Sequence, residues 1–277
     1  MTELQRLYNT PAWDWPESAA SLFLVALQDS NGDEADRLLA AEMAGDFVAI
    51  NDDLAGALLD IVEDSCESEE LQARAVISFG VALEYIDSDL DEFNEVDGYD
   101  DFAVSEQMYR RILKSLQRLY FDGTVPELVR RRTLEVSVRS PQPWHHGAVR
   151  AAYQSQEENW IVSALFCMAY IKGFQQEILE ALQSKIPEIK YEAIRAAGTW
   201  GIADAWSDIC EVLTDQAADK ELLLAAIDAS VGIEHHEVSA ALGKLLVDSS
   251  DEDVIATVHE SLAMLDMDFL GDDDYDL

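Results

Sequence analysis

The sequence predicts an all-α fold, an α-solenoid in which antiparallel helix pairs stack into a right-handed superhelix. Three observations predict it. First, the last third of the 277-residue chain repeats itself. Tyr191-Glu-Ala-Ile-Arg-Ala-Ala-Gly-Thr-Trp-Gly201 and the amphipathic run Trp206 to Leu213 are answered by Leu223-Leu-Ala-Ala-Ile-Asp-Ala-Ser-Val-Gly232 and Val238 to Val247. A third copy opens with Val254-Ile-Ala-Thr-Val-His-Glu-Ser-Leu-Ala-Met264. A period of roughly thirty residues built from two short helices marks stacked units, each of which buries its apolar face only against its neighbours. Second, no run of β-branched and aromatic residues with period two occurs, so strands are not expected. Third, the apolar fraction of 49% is enough to build a core, yet no run of about eighteen apolar residues is present to span a membrane.

The elements follow in order. Pro11 and Pro16 bracket Ala12-Trp-Asp-Trp15, an irregular arm in which Trp13 and Trp15 cap the end of the array. Glu17 to Gln28 reads as a helix, and Asp29-Ser-Asn-Gly-Asp33 as a turn. Glu34 to Ala44 is a second helix, stopped by Gly45. Asn51 is an N-cap signal for Leu54 to Val62, because its side chain accepts from the free N–H groups of a first turn. Leu71 to Tyr85 reads as one helix whose small residues let neighbours approach closely. Asp87 to Asp101 holds eight Asp or Glu residues with Asn94 and Gly98, and reads as an exposed acidic loop. Phe102 to Tyr120 is a long helix ended by Asp122-Gly123, and Pro126 opens Glu127 to Arg139. Ser140-Pro-Gln-Pro143 breaks the chain, and Trp144 to Ser155 resumes it. Asn159 is placed as the cap of Trp160 to Ile171, a helix so apolar that it must be buried on both sides. Phe174 to Gln183 packs against it, and Ile186-Pro187 begins the regular repeats. The expected organisation is one solenoid over 1–277. It has divergent helices over 1–68, irregular repeats over 69–156, regular repeats over 157–266 and an acidic disordered tail over 267–277.

The net charge is −38, from 56 acidic and 18 basic residues. A field of that size repels nucleic-acid phosphates and anionic membranes. It has three readings: a solubility or salt adaptation, recognition of a basic partner, or imitation of nucleic acid by carboxylates. The charge is uneven. Residues 1–105 hold 26 acids and 3 bases, residues 151–277 hold 26 and 6, and the belt 106–150 holds 4 and 9. Within the belt, Arg110, Lys114 and Arg118 share one helix face at i, i+4, i+8 spacing. The acidic loop 87–101 is their expected partner, and an acidic peptide or phosphorylated ligand is the alternative. Arg130, Arg131 and Arg132 point about 100° apart on a helix and form no single phosphate fork. Cys66, Cys167 and Cys210 are distant and odd in number, which suits free thiols in a reducing cytoplasm. The N-terminal residues lack the basic and apolar segments of a secretory signal.

Ile189 to Gly201, with Ile209, Val212, Leu213 and Asp215 after them, resemble a HEAT repeat. More narrowly, they are similar to the short bacterial HEAT-like units of the phycobilisome-lyase type. That pattern sets Arg-Ala-Ala on the first helix, then a Gly-containing turn, then Leu-rich positions ending in Asp. The resemblance is best over about 157–266. Arg195 stands where the family's usual Arg lies, and Asp228 replaces it in the next copy. HEAT arrays are mostly scaffolds, so the resemblance implies protein binding. Two enzyme classes on this fold are set aside. Deoxyhypusine hydroxylases bind iron through four His-Glu dipeptides in register, whereas here His236-Glu237 and His259-Glu260 lie 23 residues apart and out of register. Alkylpurine DNA glycosylases grip duplex DNA with Lys and Arg, against the charge found here. Metalloprotease, phosphate-loop, nucleophile-elbow, dinucleotide and zinc-deaminase motifs do not occur. Asp29 to Asp33 and Asp87 to Asp91 begin like calcium loops but lack the sixth-position Gly and twelfth-position Glu.

The sequence-level expectation is therefore a non-enzymatic, cytoplasmic protein–protein interaction scaffold with no catalytic residue, metal or cofactor. Its second helices would present an acidic concave surface to a basic or mixed-charge protein partner, with no nucleic-acid or membrane partner. The candidate partner contacts are Arg110, Lys114, Arg118, Trp144, His145, Trp200 and Trp206. Aromatics at turns serve either as anchors on a binding edge or as plugs between repeats. Two alternatives stand beside this: a lyase- or chaperone-like HEAT factor acting on a chromoprotein subunit, and a nucleic-acid mimic.

Overall fold

The computed structural model of the chain describes residues 2–89, 104–215 and 217–271. Among the described residues every regular element is helical. No described helix is long and apolar enough to cross a membrane. The chain divides into two compact units, Met1–Ala148 and Val149–Leu277.

The first unit contains α1 (Glu3–Tyr8), α2 (Ala19–Gln28), α3 (Glu34–Ala44), α4 (Asp52–Glu63), α5 (Glu69–Ile77), α6 (Gly80–Asp89), α7 (Glu106–Phe121), α8 (Glu127–Ser137) and the start of α9 (His145–Gln154). One layer stacks α1, α3, α5 and α8; the other stacks α2, α4 and α7. Apolar residues at helical spacing fill the space between layers, with Phe23, Leu58, Leu71, Phe79, Ile112 and Leu116 fully buried. Side-chain caps fix where helices begin. Asp33, Asn51, Ser68 and Ser105 accept backbone N–H bonds at the starts of α3, α4, α5 and α7, each contributing about 1 kcal/mol. Arg37 of α3 reaches Glu67 with two bonds of 2.7 and 2.6 Å and donates to Leu27 O. This pair is nearly dry, so it fixes geometry by what an unpaired member would cost. Trp15 donates Nε1–H to the carbonyls of Leu7 and Thr10 and meets Phe23 edge-on, closing that end of the core, whereas Trp13 stays 80% exposed.

The second unit contains the rest of α9, then α10 (Glu158–Met168), α11 (Gln175–Ala181), α12 (Pro187–Thr199), α13 (Trp206–Thr214), α14 (Lys220–Ile233), α15 (Val238–Asp248) and α16 (Glu252–Gly271). Helices α10, α12, α14 and α16 pack consecutively in one layer, and α13 packs on α15 in the other. The α12–α14 contact is the tightest. A Cβ on Gly198 would lie 2.5 Å from Ala229 Cα, so only glycine permits the crossing.

Several elements differ from the sequence expectation. The helix expected over 71–85 is two helices. The Ser78 hydroxyl donates to Arg74 O at 2.9 Å and to Ala41 O of α3 at 2.7 Å, and Phe79 N bonds three residues back, so the chain bends there. Gly45 does close α3, but in right-handed geometry; its missing side chain makes room for Ser78, whose O would sit 2.5 Å from a Cβ. Asn159 is no cap: α10 starts at Glu158, two residues before the expected Trp160, after Glu157. Residues 87–89 continue α6, and α16 runs through Gly271, past the expected start of the tail at 267. The remainder of the expected loop and tail, 90–101 and 272–277, lies outside the described residues.

Candidate partner-binding face

The basic belt is spent largely within the first unit. On α7, Arg118 Nη2 lies 2.6 Å from Glu63 Oε1 and Arg111 Nη2 lies 3.6 Å from Asp60 Oδ1, both acids on α4. Ser115 Oγ donates to the same Glu63 oxygen. Arg110 pairs with Glu106 one turn back on its own helix, and Lys114 forms no ion pair with a described residue. Exposed pairs of this kind each contribute about 0–1 kcal/mol, but together they decide where cations are left. The expected pairing of Arg110, Lys114 and Arg118 with 87–101 falls mainly outside the described residues.

The aromatic candidates hold helices together. Trp144 meets Tyr120 at 5.2 Å and Phe121 at 5.5 Å between ring centroids, at the junction of α7 and α9. His145 is 1% exposed, so it faces no partner. Its Nδ1 accepts from Gln142 N–H at 2.7 Å, which leaves the proton on Nε2, 2.9 Å from Ser137 Oγ. Burial lowers its pKa to about 4. Trp206 is also buried, stacked on His235 at 4.8 Å with Nε1–H donated to Glu237. Trp200 is half-buried; its Nε1–H donates to Met168 O at 2.6 Å, and Lys172 Nζ lies over its ring at 5.2 Å.

A different set gathers on the α10–α12–α14–α16 layer of the second unit. Phe166 of α10 and Tyr170, just past the end of that helix, lie 5.4 Å apart. The Arg195 guanidinium of α12 stands 5.8 Å from the Phe166 ring and 5.9 Å from the Tyr191 ring, and bonds Glu192 at 3.0 Å. Beyond it, α12 and α14 enclose a groove of about 630 Å³, lined by Tyr191, Arg195, Glu221, Leu224 and Asp228, with the Gly198–Ala229 crossing beneath. Burial, and then the charge of Glu260 on α16, raise the Asp228 pKa. Among the described residues no ion pair reaches Glu221, Asp228 or Glu260. Nor, among the described residues, do any three His, Cys, Asp or Glu converge where a metal ion would sit; His236 lies in the turn before α15 and His259 within α16.

No protein-family model matches the chain, and no curated protein matches it. Solved structures do resemble it. The Escherichia coli protein YibA shares 15% identity over 96% of this chain and 88% of its own, with a TM-score of 0.51. Human deoxyhypusine hydroxylase, solved with glycerol, shares 14% identity over 96% of this chain and 92% of its own, with a TM-score of 0.41. An engineered protein shares 14% identity, with a TM-score of 0.35. The likeness to YibA shows the fold: a HEAT-like, all-helical repeat architecture.

None of Phe166, Tyr170, Tyr191, Glu221 or Asp228 was among the residues expected at a site. One signal pointed there: Arg195 and Asp228 occupy the same position in successive repeats, so neighbouring helices must bring them to one surface.

Proposed function

We propose that this chain is a protein-binding scaffold that does no chemistry of its own, acts in the cytoplasm, and receives a basic or mixed-charge protein partner on its second unit. Within this reading the units are of the short bacterial type that 189–215 resemble, and the docking face lies on the first helices of the pairs rather than on the second. One observation supports this above others. Asp60 and Glu63 of α4 are matched by arginines of α7, whereas Asp228 is crowded by Glu260 and, among the described residues, has no cation paired to it. Such a surface lowers its own electrostatic cost when a cation docks, and the net charge of −38 speeds the approach. Affinity capture at rising salt tests the reading. Yield of a bound partner falls steeply with ionic strength if acidity steers binding; a yield indifferent to salt overturns it.

A further inference from the structure

We propose that the groove between α12 and α14 seats an arginine or lysine side chain of a protein partner, its aliphatic stem along Tyr191 and Leu224 and its charged head between Glu221 and Asp228. The proposal rests on the reading of the chain as a scaffold for a basic partner, and names the seat.

Size, wall chemistry and charge carry it together. The groove holds about 630 Å³, which accommodates a side chain with part of its backbone, within the usual range of binding pockets. Its wall is suited to a cation, since the Tyr191 ring that lines it already carries a guanidinium, that of Arg195, at 5.9 Å. A long basic side chain would cover Leu224 with its methylenes while its head stays polar.

Charge selects among occupants. An apolar side chain would strip water from Asp228 and Glu221 and leave them unpaired, which is costly. A second copy of this chain brings another net charge of −38, and nucleic acid brings phosphates, so both are repelled. A cationic segment satisfies the carboxylates and also relieves the repulsion between Asp228 and Glu260.

The test uses the full chain and fluorescence anisotropy with a short fluorescein-labelled Ala/Ser peptide carrying arginines. A citrulline version keeps the shape and removes the charge. The arginine peptide binds at least about tenfold more tightly than its citrulline counterpart, and Glu221→Gln with Asp228→Asn weakens it by about tenfold. Glu158→Gln with Glu211→Gln, which removes the same charge from exposed positions on other helices, weakens it less than about twofold. Tyr191→Phe keeps the ring and the affinity, whereas Tyr191→Ala loses it, with circular dichroism confirming that each variant is folded. If both double variants weaken binding equally, the groove is not the seat, while the basic-partner reading survives. If the chain does not distinguish arginine from citrulline, both fail.

Discussion

His145 provides a test of the packing at the α8–α9 junction. The side chain is held neutral because Nδ1 accepts from Gln142 N–H, while Nε2–H faces Ser137 Oγ, whose own proton goes to Leu134 O at 3.1 Å. Protonating Nδ1 would point two donors at each other inside the core. Burial lowers the folded pKa to about 4, against an ordinary value of 6.5. The folded value is depressed, so the unfolded chain takes up the proton first as pH falls. The stability contribution is thus complete above about pH 6.5 and is lost between there and pH 4. From these two values, linkage gives a loss of about 2 kcal/mol at pH 5 and about 3 kcal/mol once the pH is below 4. Urea unfolding followed by circular dichroism, at a series of pH values across that window, measures it. Carboxylates titrate too, so the readout is a difference: wild type against His145→Gln, which cannot titrate. The variant is less stable at neutral pH but shows a shallower fall towards pH 5, by about 2 kcal/mol. Equal falls in the two proteins would refute both the burial and the tautomer deduced from it.

Three further predictions concern the packing. Gly198→Ala sets a methyl 2.7 Å from Ala229 Cβ and closer still to its Cα, so thermal melts show a loss of about 1–3 kcal/mol, whereas Gly243→Ala, with nothing within 4 Å, is neutral or stabilising. Arg37→Ala strands Glu67 in a site where its side chain is 15% exposed, and denaturant titration shows a loss of about 3 kcal/mol; Arg37→Lys recovers part of it, since an ammonium cannot make the two-pronged contact. Asp228 has a raised folded pKa, so its charged form opposes folding at neutral pH and the opposition fades as pH falls through that value. Asp228→Asn therefore raises the melting temperature at neutral pH, with no gain in acid.

The helices themselves were legible because the signals that form them are local. Asn51 caps α4 as its sequence position implies, and the apolar spacing of Leu54, Leu58 and Ile61 sets its buried side. What was illegible depends on residues far apart in the chain. The bend between α5 and α6 comes from Ser78 reaching Ala41, 37 residues away, and Gly45 is needed for that same approach rather than for a left-handed turn. Trp206 and His145 look like edge residues because they sit at turns, yet each finds its partner in another element and is buried by it. The face on α10, α12 and α14 was partly legible: the matched positions of Arg195 and Asp228 were visible, but the lateral register that sets Phe166 beside Arg195 was not.

The net charge of −38 describes the chain poorly as a single number. In the first unit the belt on α7 lies against α4, and cation meets anion across neighbouring helices. In the second unit the long-range pairs hold different positions: Arg150 meets Glu177, and Lys220 meets Asp251 and Asp253. Asp228 and Glu221 are left on a groove wall beside an aromatic surface. A protein that carried acidity only for solubility would gain by spreading carboxylates away from one another, because each crowded charge opposes folding. Asp228 runs against that expectation, and it does so at the repeat position where the preceding unit carries Arg195. The exchange of a cation for an anion at that position leaves a carboxylate that a basic partner can satisfy, next to rings that can hold such a side chain in place.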